Sequence, residues 1–203
     1  MYIIRQCVED DIPFVHALLS TVIFKEEPLI SINGPHTIPT VDESQSAAII
    51  PQGHSFLAET FDGRIIGVCL NDEPPQIFPN IYTNTKEDVK FQMFFKYMED
   101  TSKINELAPN ALEIRLMAVC NDWRKRGVAS SLLKASEEAG RNAGFSFVKV
   151  YCTSNYSSQL FEKLGWRKVF SLSYKEYDYY GITGLKVPCE PHTDCDLFMK
   201  KLF

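Results

Sequence analysis

The chain has 203 residues, 45% hydrophobic and 12% aromatic, with a formal net charge of -5. That is enough to close one substantial core, and a single domain over residues 1–203 is expected. The acidic balance excludes a general nucleic-acid binder, which needs a basic face. No stretch reaches the roughly 18 uninterrupted apolar residues of a membrane span, and "MYIIRQCVEDDIPF" has none of the parts of a secretory leader, so a soluble, cytoplasmic monomer without nucleic-acid or membrane partners is expected.

"YIIRQ" (2–6) is a short β-branched run. Asp10 or Asp11 can cap a helix starting near Ile12 and Pro13 and ending near Phe24 or Lys25, with Phe14, Val15, Leu18, Leu19 and Val22 as its buried stripe. Gly34, Pro35 and Pro39 predict a loop from Leu29 to Thr40, and "VDESQSAAII" restarts a helix after it. "SFLAET" and "RIIGVCLN" flank Phe61-Asp62-Gly63, a strong hairpin signal. "EPPQIFPNIYTNT" is a second proline-bearing loop, and Val89, Met93, Phe94 and Tyr97 recur at helical spacing after it.

"ALEIRLMAV" (111–119) and "SFVKVYCT" (146–153) read as strands. Between them Val128, Leu132, Ala135 and Ala139 mark a helix that ends at Gly140 or Gly144, a unit suited to a right-handed crossover between parallel strands. "YSSQLFEKLGW" is a further helix stopped by Gly165, followed by strand-like "KVFSLSY" and "DLFMKKLF".

Six cysteines are scattered without a CxxC pair, which suits reduced thiols, and Cys7, Cys69 and Cys152 read as small core residues. Cys189-x-x-His192-x-x-Cys195 has metal-like spacing, but it offers no evident fourth ligand, so no metal is expected.

The basic triplet Arg124, Lys125 and Arg126 precedes Gly127 at the junction of a strand and a helix. Free helix-start amides and the positive end of the macrodipole favour an anion there, glycine allows close approach, and the arginines add charge-assisted hydrogen bonds. The alternative is a solvated basic loop. Neither GxxxxGK[ST] nor GxGxxG is present, which disfavours a P-loop and a dinucleotide fold.

"LEIRLMAVCNDWRKRGVASSLL" followed by "YCTSNYSSQLFEKLGW" resembles the acetyl-CoA-binding core of the GNAT N-acetyltransferases, whose [RQ]-x-x-G-x-[GA] signature matches Arg124-Lys125-Arg126-Gly127-Val128-Ala129. "FKEEPLI" and "EPHTDCDLFMKK" extend the likeness toward insect arylalkylamine N-acetyltransferases. The resemblance implies an α/β (α+β) GNAT fold: a central mixed, mostly antiparallel, twisted sheet with helices on both faces and a parallel strand pair at the cofactor site. It implies acetyl-CoA held by Met117, Ala118, Val119, Arg124, Lys125, Arg126, Gly127, Val128, Ala129 and Ser130. The arm of the cofactor would pair with residues 117–119 as an added strand, and the Val119 amide would stabilise charge on the carbonyl oxygen.

The acceptor it implies is an arylalkylamine such as dopamine, serotonin or tyramine, attacking directly in a ternary complex. Such amines have a pKa near that of lysine, about 10, so a base must free the lone pair. The resemblance assigns that role to Glu27; spacing alone would leave it an exposed neighbour of Glu26. It also marks Thr153, Ser157 and His192, which are equally readable as a strand-end residue, a helix-start hydroxyl and a loop histidine. Many GNAT members carry tyrosine where this chain has Phe161, so Ser157 or a water it holds is the substitute donor to the leaving thiolate. Phe24, Phe56, Tyr174 and Tyr177 are candidate pocket walls. Acetylation of another amine (a polyamine, an amino acid or a protein N-terminus) and a non-catalytic acyl-CoA-binding module remain alternatives.

Overall fold

A computed structural model describes residues 1–33, 38–74, 86–179 and 184–203. Gly34, Pro35 and most of the second proline-bearing loop lie outside the described residues. Seven strands form one mixed sheet in the order β1-β2-β3-β4-β5-β7-β6. They are β1 (Tyr2–Gln6), β2 (Phe56–Thr60), β3 (Ile65–Asp72), β4 (Ala111–Val119), β5 (Phe147–Cys152), β6 (Arg167–Ser173) and β7 (Asp194–Lys201). All neighbours pair antiparallel except β4 and β5, which are parallel as the strand, helix, strand reading requires.

The helices are α1 (Ile12–Glu26), α2 (Pro28–Asn33), α3 (Gln45–Ile49), α4 (Lys86–Ser102), α5 (Ile104–Leu107), α6 (Val128–Asn142), α7 (Asn155–Lys163) and α8 (Tyr174–Tyr179). Strand alternation feeds both faces of the sheet. Ala58, Ile66 and Cys69 face α6 through Val128 and Leu132, whereas Leu57, Val68 and Leu70 face α1 through Val15, Leu19 and Ile23. A third cluster holds Phe91, Phe94 and Met98 of α4 against Tyr174, Tyr177 and Leu197. Cys7, Cys69 and Cys152 are buried core residues, as expected. Among the described residues no helix is long and apolar enough to cross a membrane.

The structure corrects several boundaries and faces. Phe14 is 66% exposed, and the buried stripe of α1 is Val15, Leu19 and Ile23. Asp11 does not cap α1 by its side chain; it accepts from the Val8 amide at 2.9 Å and pairs with Arg5 at 2.7 Å. The expected loop after Leu29 begins as helix α2, because the Glu27 side chain accepts from the Ile30 amide and its carbonyl accepts from Ser31 at 2.9 Å, an N-terminal cap. Helix α3 starts only at Gln45, where Ser44 caps it by accepting from Ala47 at 3.3 Å. In α4 the buried stripe is Phe91, Phe94 and Met98, while Val89, Met93 and Tyr97 are exposed. Gly144, with φ +85°, closes the end of α6, and Gly140 sits inside that helix, its α-carbon packed beneath Leu202 and Leu112.

Gly67 decides how closely α6 lies on the sheet. A Cβ there would stand 3.1 Å from Val128, 3.2 Å from the Ala118 carbonyl oxygen and 3.3 Å from Leu132. Gly67→Val should therefore push the start of α6 outward and cost about 1–3 kcal/mol by overpacking, read as a lower urea midpoint at unchanged slope. An unchanged midpoint would mean that the helix shifts freely.

Candidate active site

The parallel ladder between β4 and β5 runs only from Ala111↔Phe147 to Ile114↔Val150. Beyond it the strands part. On its other side β4 pairs with β3 as Leu70↔Leu116 and then Asn71↔Ile114, so Arg115 is an extra residue, a bulge that bends β4 where the parting begins. The gap opens into a cavity of about 720 Å³ whose walls include Leu116 and Met117 of β4, Tyr151 and Cys152 of β5, Thr153, Ser157, Glu27 and His192. The structure thus gathers all four candidate catalytic residues at one cavity, although they come from three separate segments.

A second cavity, of about 560 Å³, shares Arg124 and Lys125 with the first and is lined by Val119, Gly127, Val128, Ala129 and Ser130. The first intrahelical bond of α6 runs from the Ser131 amide to the Gly127 carbonyl at 3.0 Å. The amides of residues 128–130 therefore have no partner within the helix. Gly127 takes φ +82° and a Cβ there would meet nothing within 4 Å, which leaves open space at the helix start. Arg124 donates to the Val119 carbonyl at 3.2 Å and pairs with Glu26 at 2.7 Å. Arg126 lines neither cavity, its guanidinium lying over the ring of Trp123, a wall of the second, at 5.2 Å from the centroid. The side chain of Ala118 packs into the core beside α1.

Glu27 lies at the bend between α1 and α2. The residue is half-buried, but its Oε1 is inaccessible and has no hydrogen-bond partner among the described residues. Burial pushes its carboxyl above the usual range; Thr153 and the Ile30 and Leu29 amides pull against that shift. Glu26, one residue earlier, is exposed and lines the same cavity beside Arg124. Asn121 and then Arg124 hold its carboxyl below the ordinary value.

Ser154, which sequence reasoning passed over, is the N-cap of α7 and accepts from the Ser157 amide at 3.1 Å. Ser157 donates to the Ser154 carbonyl at 2.8 Å and its hydroxyl lies 2.9 Å from that of Ser154. The S-x-x-S spacing was the available signal. His192 Nδ1 accepts from the Asn155 amide at 3.2 Å, and burial lowers its pKa, so the ring is neutral with Nε2 carrying the proton. Phe161 is 1% exposed and packs against Trp166 and Phe198, a core residue at the cavity floor.

Glu27 and Thr153 also line a smaller recess of about 80 Å³, walled by Leu29, Ile30, Phe91, Phe95 and Tyr151 and floored by Gln45, Glu113 and Arg115. The expected aromatic walls are corrected here. Tyr174 and Tyr177 are buried in the α4 core and Phe56 packs against the α6 cluster, while the Phe24 side chain lies outside the described residues. The charged pair inside "ALEIRLMAV" was the sequence signal for the floor. Among the described residues no three metal-ligating side chains stand together; Cys195 is buried and Cys189 exposed.

An interrupted parallel pair with free helix-start amides beside the gap is the acyl-CoA-binding arrangement of the GNAT fold, and the sequence matches the Acetyltransferase (GNAT) family over residues 22–166. The chain belongs to that family of acetyltransferases, whose acyl donor is acetyl-CoA. Among solved structures it is similar to mosquito arylalkylamine N-acetyltransferase like 5b, with 22% identity, 99% of this chain and 100% of that one covered, and a TM-score of 0.84. It is similar too to the Drosophila melanogaster polyamine N-acetyltransferase that forms N-acetylagmatine, with 22% identity, 99% and 100% covered, and a TM-score of 0.81. An agmatine N-acetyltransferase S171A mutant gives 21% identity, 98% and 99% covered, and a TM-score of 0.82.

A raised carboxyl in the folded state stabilises most when protonated. That contribution is full below the ordinary carboxylate pKa and is lost as pH rises through the raised one. Glu27→Gln, which keeps an acceptor for Ile30, should therefore raise the thermal midpoint at pH 7 by about 2–4 °C, a shift that roughly 1 kcal/mol produces at this size. The gain should vanish near about pH 4. Calorimetry across pH reads it; a gain that does not depend on pH would remove burial of charge as the cause.

Proposed function

We propose that the chain acetylates the primary amine of an arylalkylamine such as dopamine, serotonin or tyramine, by direct attack in a ternary complex. The observation that carries this reading is the place of Glu27: its buried carboxylate lies where the cavity between the parted strands meets an aromatic-walled recess. The residues fit the cofactor, since the amides of residues 128–130 and the open space at Gly127 suit a pyrophosphate and the β4 edge beyond Ile114 suits an extended arm. Acetyl-CoA supplies an activated acyl carbonyl.

Glu27 takes the proton of the bound ammonium, directly or through a water, and its raised pKa brings its basicity closer to the task. The aromatic walls hold the arylalkyl group so that the freed nitrogen points into the main cavity. The Val119 amide is the donor proposed for charge that develops on the carbonyl oxygen. Ser157, held by Ser154, donates a hydrogen bond to the departing thiolate, whose pKa of about 8.5 lets it leave without full proton transfer. His192, neutral and donating from Nε2, orients the acceptor, and Thr153 sets the position and basicity of Glu27. A second reading, transfer to a polyamine or agmatine, draws on the names of two similar structures and on the acidic Glu113 in the recess.

Thiol release from acetyl-CoA with a panel of amines tests the assignment. Glu27→Ala should lower kcat by about 10²–10⁴-fold and flatten the acid limb of kcat/KM, which in the native chain falls as pH drops through the raised Glu27 pKa. Its acetyl-CoA Kd should hold. Gly127→Val, forced into a left-handed backbone with branched atoms in the cradle, should weaken acetyl-CoA binding first. Equal loss of cofactor binding in Glu27→Ala would remove the base assignment, and tight acetyl-CoA binding with no thiol release for any amine would leave a binding module.

A further inference from the structure

Resting on that reading, the recess itself carries information about the far end of the acceptor. Its hydrocarbon walls are complete: Phe95 and Tyr151 meet edge to face at 5.5 Å, and Phe91 is 2% exposed. Its polar floor is not. Gln45 Oε1 and Tyr151 Oη are inaccessible atoms without a hydrogen-bond partner among the described residues, Glu113 Oε2 has only its 3.5 Å ion pair with Lys149, and all three side chains line this one recess. Buried polar groups are nearly always paired, so such a cluster points to a ligand.

The chemistry of these atoms defines what is missing. Two are oxygen acceptors, and burial, then the Glu113 charge, pushes the Tyr151 phenol up so that it stays a neutral hydroxyl. The missing partner therefore donates hydrogen bonds and can accept one. Its charge follows from the surrounding ions. Arg115 pairs with Glu113 at 3.0 Å and with Asp72 at 3.0 Å, and Lys149 stands 3.5 Å from Glu113, so two cations already balance two carboxylates, each side chain 8% exposed or less. With Glu27 taken by the reacting amine, a second ammonium or a guanidinium would enter beside the Arg115 guanidinium with no further unpaired carboxylate among the described lining residues to match it. A neutral hydroxyl fits both requirements.

We propose that Gln45, Glu113 and Tyr151 form a hydroxyl-reading floor that selects arylalkylamines bearing a ring hydroxyl, over unsubstituted arylalkylamines and over diamines or guanidino amines. The ring lies between Phe91, Phe95 and Tyr151, its hydroxyl donates to Glu113 or Gln45, and it accepts from Tyr151. A floor that is satisfied only by the hydroxyl discriminates strongly, because the analogue lacking it leaves buried acceptors unpaired.

The test compares kcat/KM for tyramine, phenethylamine and agmatine in the native chain and in Tyr151→Phe and Glu113→Gln, with circular dichroism confirming that each variant folds. Tyramine should exceed phenethylamine by about tenfold or more, the scale of one hydrogen bond to a buried charged group. Both variants should bring that ratio toward one. Tyr151→Phe, which leaves the ion pairs in place, keeps the test decisive if Glu113→Gln does not fold. A native ratio near one, or variants in which both aromatic amines fall in parallel, overturns the floor and leaves acetyl transfer by Glu27 standing. Agmatine acetylated ahead of tyramine overturns the floor and the arylalkylamine assignment together. No acetylation of any of the three amines, while acetyl-CoA still binds, overturns the catalytic reading as well.

Discussion

The site exists because a parallel strand pair stops pairing after four residues on each strand. Parallel strands need a crossover, and here the crossover is α6, whose start is set down beside the parting. Neither wall of the gap is loose. β4 remains bonded to β3 through Met117↔Cys69, Ala118↔Val68 and Val119↔Gly67, and β5 remains bonded to β7 through Tyr151↔Leu197 and Cys152↔Asp196. An opening framed by two anchored strands presents backbone groups in fixed directions, which is what a preorganised site requires. Gly67 completes the frame by letting α6 seat deeply enough for its free amides to reach that opening.

Glu26 and Glu27 show how one bend serves two ends of the site. Helix α1 finishes where the main cavity meets the smaller recess, and Glu27 leaves it with extended backbone. Glu26 stays toward solvent and meets Arg124, an exposed pair worth roughly 0–1 kcal/mol, so its part is geometric more than energetic. Glu27 turns inward and caps α2. Desolvation raises its affinity for a proton while Thr153 and the helix-start amides lower it, and the balance leaves its carboxyl above the ordinary value.

Strands, the hairpin and the cradle were largely legible in the sequence because each rests on local chemistry. The ends of β1 and β4 follow from β-branched or apolar runs, the Asp62-Gly63 turn from positive φ at glycine, and the Gly127 junction from the spacing of a basic turn before a helical stripe. The α4 face was misread in part: Phe94 is buried as expected, but Val89, Met93 and Tyr97 share helical spacing with Phe91 and Met98, and only the partner, here the Tyr174 and Leu197 cluster, chooses between them. Helix α2 was missed because its cap is a glutamate, not the usual short side chain. The recess beside Glu27 was illegible for a different reason. Gln45, Phe91, Glu113 and Tyr151 are far apart in the chain and share no motif.

That difference separates what the fold can say from what it cannot. The turn before α6 is built from main-chain donors and one glycine, features that do not depend on particular side chains, and structures at 21–22% identity share the fold over almost the whole chain. The recess is built from side chains that the backbone does not dictate. Similar TM-scores to proteins named for arylalkylamines and for agmatine therefore carry equal weight for the acyl-CoA end and none for the acceptor. The acceptor is decided by local charge balance and by which buried atoms lack partners. In this chain Arg115 and Lys149 already neutralise Glu113 and Asp72, and Gln45 Oε1 and Tyr151 Oη are left over, which is the ground of the hydroxyl proposal.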